Sequence, residues 1–309
     1  MKTIDIISVG EVLIDFIGHE FNASIEDTNN YHRFLGGSPT NVAVNASKLG
    51  LNSLLVATCG KDGLGDFIYN QLKKSHVNVS SLTQVESLPT SIIMVSKSKT
   101  TPDFIPYRSA DYHITESQLS DAVISSAKIF HTTCFALSKE PARTTILEKA
   151  KKAKQLGLKL SIDINFSERI WNNREEAKQI LANYLNNNPL VKLSDDDCLR
   201  LFNENKSEKF IFDYFHNLGA STICLTKGAS GVVVSDVNEG IIRKKGLEIS
   251  EIKDATGAGD AFWTGFLYGN IHQMFIDESL DIAQKLAKVK LQHLGGLPKN
   301  LNIKELILD

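Results

Sequence analysis

The chain has 309 residues, 42% of them hydrophobic and 23% charged, a balance that excludes both a disordered chain and a fibrous one. The formal net charge of −2 gives a nucleic-acid partner no electrostatic support. Four scattered cysteines, Cys59, Cys134, Cys198 and Cys224, form no CxxC pair and have no histidine cluster nearby, which excludes metal-ligand spacing and fits buried thiols in a reduced cytoplasm.

In chain order, Ile4 to Val9 is a short isoleucine-rich run that Gly10-Glu11 stops, so it reads as a buried strand and not as a signal peptide. Val12 to Ile17 and Tyr31 to Leu35 read as strands with no helix between them, as do Thr90 to Val95 and Phe104 to Arg108. These pairs, within 12–36 and 90–108, are predicted to form a small antiparallel sheet that acts as a lid. Elsewhere the strands Leu54 to Cys59, Lys128 to Thr132, Leu158 to Ile164, Leu190 to Leu193, Thr222 to Thr226 and Gly231 to Ser235 are predicted. They alternate with helices over Thr40 to Leu49, Leu64 to Lys74, Pro141 to Leu156 and Glu175 to Leu185. That rhythm predicts an α/β fold, a mostly parallel central sheet with helices on both faces. The C-terminal third reads as helical over Ala258 to Asn270 and Glu278 to Leu294, and no linker or repeat divides the single domain over 1–309. No run reaches the roughly 18 apolar residues of a membrane helix, so no membrane partner is expected.

The segment Asp254-Ala255-Thr256-Gly257-Ala258-Gly259-Asp260-Ala261-Phe262 carries the chemistry. Small residues at 257 to 259 let a ligand approach the backbone just where a helix begins, and free N–H groups there make an anion site. A carboxylate at Asp260 inside such a site is suited to take a proton from a hydroxyl that attacks phosphorus. An ordinary N-terminal cap would explain a lone GAGD; the longer string is far more specific.

Asp254 to Phe262 resembles the C-terminal signature of the ribokinase-like (PfkB) carbohydrate kinases. Gly36-Gly37-Ser38-Pro39-Thr40-Asn41 resembles their N-terminal signature, and Gly60-Lys61-Asp62-Gly63-Leu64-Gly65 their G-x-D-x-x-G. The resemblance implies that Asp260 is the catalytic base, that Gly257, Ala258 and Gly259 form the anion hole, and that Asp15, Gly36, Gly37 and Asn41 touch the sugar. It implies ATP and Mg²⁺ as cofactors. Thr226-Lys227-Gly228-Ala229-Ser230-Gly231 resembles a turn under the ATP phosphates (Thr226, Gly228, Gly231), with Lys227 taken as solvated. Ser194 and Asp197 stand where relatives carry N-x-x-E, so Asp197 would serve Mg²⁺ through water; a helix cap with acids in its first turn is the other reading. Asp254 and Thr256 fall in a loop where relatives hold a monovalent cation such as K⁺. The adenine pocket is placed among Ala283, Ala287 and His293.

Arg108 and Arg169 lie in segments similar to bacterial fructokinases. Arginines at these places also clamp the carboxylate of 2-keto-3-deoxygluconate in its kinases. Ser-Pro-Thr after Gly-Gly resembles the 5-dehydro-2-deoxygluconate kinases. Fructose is the preferred acceptor among these. A non-catalytic sugar or nucleotide sensor on the same fold and a nucleoside kinase are the rivals; the intact Asp260 counts against the first, and the polar lid sequence against the second. A homodimer joined through the lid is expected.

Overall fold

Strands buried on both faces carry near-continuous apolar runs, whereas strands with one wet face alternate, and both kinds occur here. The computed structural model describes residues 2–97, 103–298, 301 and 306. From the N-terminus run β1 (Ile4–Val9), β2 (Leu13–Phe21), β3 (Tyr31–Gly36), α1 (Ser38–Lys48), β4 (Ser53–Gly60), α2 (Gly63–Lys74), β5 (Asn78–Val85), β6 (Ile92–Lys97) and β7 (Phe104–Tyr107). There follow α3 (Asp121–Ser125), β8 (Ala127–Thr133), α4 (Ala142–Gln155), β9 (Lys159–Asp163), α5 (Arg174–Leu185), β10 (Leu190–Ser194), α6 (Asp195–Phe202) and α7 (Glu208–Asn217). The chain then forms β11 (Thr222–Thr226), β12 (Val232–Asp236), β13 (Gly240–Lys244), α8 (Ala258–Ile271) and α9 (Ile276–Leu291).

The main sheet has the order β13-β12-β11-β10-β9-β8-β1-β4-β5. It is parallel from β5 across to β11 and closes with the antiparallel hairpins β11–β12 and β12–β13. Alternate side chains divide between its faces. Ile6, Ile129 and Leu190 pack with Trp263, Phe266 and Leu286 on the side of α8 and α9. Ile7, Phe130 and Leu193 pack with Ile146, Leu181 and Phe215 on the side of α4, α5 and α7. Trp171 belongs to the second cluster and Trp263 to the first, each with its indole N–H bonded, to the Cys134 carbonyl and to Ser161 Oγ.

The small second sheet has the order β3-β2-β6-β7; its outer pairs are antiparallel and its central pair, β2 with β6, runs parallel. Asp62 ties it to the main sheet. The carboxylate caps α2 through the Leu64 and Gly65 amides and accepts from Thr90 N and Oγ1, both at 2.8 Å. β3 ends at Gly36 and α1 begins at Ser38, so the second sheet runs directly into the helix that faces α8.

Five elements go beyond the sequence reading, the short helix α3 among them. β5 (NVSSLTQV) is an edge strand with a polar sequence, and β13 (GIIRK) is a mostly exposed edge. The helices α6 and α7 follow β10 and pack their apolar residues on the sheet. All four cysteines are buried free thiols. No helix among the described residues is long and apolar enough to cross a membrane.

Candidate active site

The C-terminal ends of the parallel strands and the start of α8 converge on Asp260. Gly257 caps α8 in the left-handed region, with φ 77°, a conformation glycine adopts without strain. Asp260 follows in the first turn, 8% exposed. Ser38 Oγ donates to its Oδ1 at 2.6 Å and Asn41 Nδ2 to its Oδ2 at 2.8 Å. Burial pushes this carboxyl above the usual aspartate range; the Ser38 and Asn41 donors, Lys192 and Lys290 pull it back.

α1 reaches Asp260 because Glu11 anchors it. Its N-cap, Gly37, offers no side chain, and Glu11 Oε1 accepts from the Ser38 amide at 3.1 Å instead. Glu11 Oε2 accepts from Thr133 Oγ1 at the end of β8, at 3.0 Å. Burial lifts the Glu11 carboxyl to about 8 against these donors and Arg108. A Cβ at residue 37 would lie 2.3 Å from the Glu11 carbonyl, so only glycine fits there.

On one side of Asp260 lies a pocket of about 330 Å³ with mixed walls, where Asp15, Asn41, Arg33, Lys48, Asp254 and Lys290 stand among apolar side chains. Asp15 lies across Gly36, where a Cβ would meet its Oδ2 at 2.3 Å. Burial, then the charges of Asp260 and Asp254, raise Asp15 to about 7.

On the other side is a largely apolar cleft of about 510 Å³ between Thr226, Gly228 and Gly231 at the end of β11 and Ala258, Phe262 and Ala287 on α8 and α9. This shape fits the face of a purine, with the 228–231 turn and the first-turn amides of α8 at its polar end. Of the expected adenine residues, Ala287 lines this cleft, Ala283 is buried in the α8–α9 packing, and His293 is exposed and bonded to the Val289 carbonyl. Lys227 is not merely solvated: it pairs with Glu208 at 2.8 Å, and Glu208 also holds Arg243 and is pulled down to about 2 by both.

In a further cavity, of about 540 Å³, lined with Asp260, Gly259 and Thr226, the sequence reading missed a buried ion pair. Lys192 on β10 stands in register with Asp163 on β9, and Nζ lies 2.9 Å from its Oδ2. A Cβ on Gly259 would come within 2.8 Å of Lys192 Nζ, so the ammonium sits directly against the glycine turn. Burial alone would lower the Lys192 pKa, but Asp163, Asp197 and Asp260 outweigh it and hold the ammonium charged. A lysine inside the apolar run Leu190–Ser194 was a usable signal.

Ser194 and Asp197 form a capping box on α6. Asp197 Oδ2 accepts from Ser194 N and Oγ, Ser194 Oγ accepts from Asp197 N, and Oδ1 pairs with Arg200 at 2.8 Å. Both oxygens are therefore engaged. Among the described residues no group of three or more His, Cys, Asp and Glu converges to hold a metal ion. Asp197 is thus tied into the cap of α6, and a Mg²⁺ ion reached through its waters would have to share these oxygens with Ser194 and Arg200.

Asp254 is engaged as well. Oδ1 accepts from Thr256 N at 2.9 Å, closing the turn that leads to Gly257. Oδ2 accepts from Lys290 Nζ at 3.0 Å and Gly295 N at 3.1 Å. Burial lowers Lys290, with Asp254 and Asp260 opposing. Arg108 is buried against Asp111 at 2.7 Å, bonds Ser138 Oγ and lies over the Phe135 ring. Arg169 is half exposed, pairs with Asp103 and lies over Phe104 of β7.

Known proteins resemble this chain along nearly its whole length. The profile described as pfkB family carbohydrate kinase matches residues 3–301. An ATP-dependent 6-phosphofructokinase of Thermoanaerobacterium thermosaccharolyticum is 34% identical, over 96% of this chain and 90% of its own. The structure of Halothermothrix orenii fructokinase is 32% identical, with TM-score 0.79 over 92% of this chain and 96% of that one. A sugar kinase of Pyrococcus horikoshii in complex with ATP is 27% identical, with TM-score 0.84 and 97% of both chains covered.

Proposed function

The chain belongs to the pfkB family of carbohydrate kinases and is an ATP-dependent sugar kinase, and we propose that its acceptor is fructose. The observation that carries this reading is the state of the two arginines. Arg108 and Arg169, the residues that would clamp an acid sugar, already face Asp111 and Asp103. Both are thereby neutralised and neither lines the pocket at Asp15 and Asn41, which disfavours 2-keto-3-deoxygluconate and 5-dehydro-2-deoxygluconate held by such a clamp. The fructokinase relative supports the same acceptor.

Asp15 accepts hydrogen bonds from the sugar hydroxyls, Gly36 and Gly37 let the polyol approach the backbone, and Asn41 supplies donor and acceptor. Asp260 receives the proton of the attacking hydroxyl. ATP, when bound, supplies the phosphoryl group. Thr226, Gly228 and Gly231 would hold its phosphates, and Ala258, Phe262 and Ala287 its base. The turn amides at Gly257, Ala258 and Gly259 stabilise negative charge on the transferring group. The second sheet closes over the sugar and excludes water. That sheet exposes Phe21, Ile105 and Tyr107, and it joins two copies as a homodimer. The free thiols support a cytoplasmic setting.

A second reading rests on Arg33 and Lys48, which line the same pocket as Asp15, and on the phosphofructokinase relative: the acceptor is a sugar phosphate whose anion sits between these two cations. ADP release measured over fructose, fructose 6-phosphate, 2-keto-3-deoxygluconate, 5-dehydro-2-deoxygluconate and adenosine decides. Turnover is expected with fructose and lost by about 10²–10⁴-fold in Asp260→Asn. Turnover with fructose 6-phosphate alone replaces the first reading with the second. Turnover with an acid sugar alone overturns both.

A further inference from the structure

Family resemblance places a monovalent cation beside Asp254 and Thr256, and the donor set there tests whether the chain can hold one. The oxygens that converge are Asp254 Oδ2, the Asp254 carbonyl and the His293 carbonyl, and all three already surround Lys290 Nζ at 3.0, 3.2 and 3.3 Å. One carboxylate and two carbonyls are a hard-oxygen set of the kind that suits K⁺ or an ammonium. The lysine side chain is 5% exposed and the aspartate side chain 9%. The residues present therefore do not fit a metal ion in addition to the lysine.

We infer that Lys290 is a built-in cation: its ammonium replaces a monovalent metal ion in bracing the turn that leads into α8. The lysine comes from the last turn of α9, where a positive charge also complements the helix dipole. The neighbouring backbone is laced to the same helix end, with Lys253 N donating to the Leu291 carbonyl at 2.8 Å. The side chain passes beneath the cap of α8, since a Cβ on Gly257 would lie 3.8 Å from Lys290 Cε. Asp254 in turn fixes Thr256 N. Removing the ammonium leaves a buried carboxylate without its counter-charge and an oxygen cage that an external ion can enter. Lys290 acts on the reaction through the turn, as a positioning residue. The effect on turnover rests on the reading of 257–259 as the phosphoryl site; the effect on stability does not.

The test compares wild type, Lys290→Met and Lys290→Gln in KCl against choline chloride at equal ionic strength, reading the thermal midpoint and kcat separately. The wild type is expected to show the same midpoint and the same kcat in both salts. The variants are expected to have a lower midpoint in choline chloride and to lose roughly 10–100-fold in kcat as the turn shifts, with K⁺ or NH₄⁺ restoring both. Restored midpoint with no change in kcat would keep the built-in cation and remove the phosphoryl role of the turn. A wild type whose midpoint or rate rises with K⁺ overturns the inference. So does a variant that raises only the KM for sugar and ignores K⁺, because Lys290 also borders the sugar pocket. If both variants fail to fold, the wild-type titration still decides.

Discussion

Two buried lysines flank Asp260 and are held in different ways. Lys192 is fixed by strand register: it stands opposite Asp163 in the parallel pairing of β9 and β10, inside a sheet covered on both faces. Lys290 is fixed by closure of a loop: it leaves the end of α9 and meets Asp254, 36 positions away in sequence. Both offset carboxylates around Asp260. Strand register cannot move without breaking the sheet, so Lys192 has no substitute. The loop pair is an oxygen cage around a small cation, and an ion from solution can stand in for its lysine. Equal charge and equal burial therefore do not mean equal replaceability.

The largest effect is expected from Lys192→Met. Asp163, Asp197 and Asp260 lose the cation between them, and breaking a buried pair this way destabilises by about 3–5 kcal/mol. Urea unfolding should show that loss, with no rescue by K⁺; rescue would erase the contrast with Lys290. Ser38→Ala sharpens the contrast by touching Asp260, the proposed base, without altering either lysine. Its hydroxyl favours the ionised form of Asp260, so losing it raises the carboxyl pKa further. The acid limb of kcat/KM should move to higher pH, with activity reduced most on the acid side and approaching wild type on the alkaline side. Ser38→Thr should restore the profile; an unmoved limb in Ser38→Ala would mean that the serine does not act on the base. Arg169→Ala is the mildest. Its pair with Asp103 is half exposed, so stability should change by no more than about 1 kcal/mol and the KM for fructose should stay near wild type. A large rise in that KM would return Arg169 to the sugar.

Strand and helix positions in the main sheet were legible because burial on both faces writes apolar runs into the sequence, as at Ile4–Val9 and Thr222–Thr226. The edges were not. β5 and β13 need fewer apolar residues and are defined by the neighbour they bond. In the site, the glycine-rich string and the resemblance pointed to Asp260, and the structure brings Asn41 onto that carboxylate. Partners were not legible. Nothing local in the sequence pairs Ser38 with Asp260, Glu11 with the amide of Ser38, or Asp254 with Lys290, because each contact joins elements brought together only by folding. For Arg108 and Arg169 the sequence showed two cations and could not show the carboxylates that face them.

The placement of the two tryptophans has a practical consequence. Trp171 and Trp263 are the whole indole complement of the chain, and they lie in the cores on opposite faces of the main sheet. Intrinsic fluorescence is thus a two-sided reporter: loss of either core moves an indole from an apolar surrounding into water and shifts emission to the red. The second sheet carries no indole, so the closure proposed for it would leave the intrinsic tryptophan emission unchanged. A Tyr107→Trp probe on the exposed face of β7 would make that motion visible while leaving both native reporters in place.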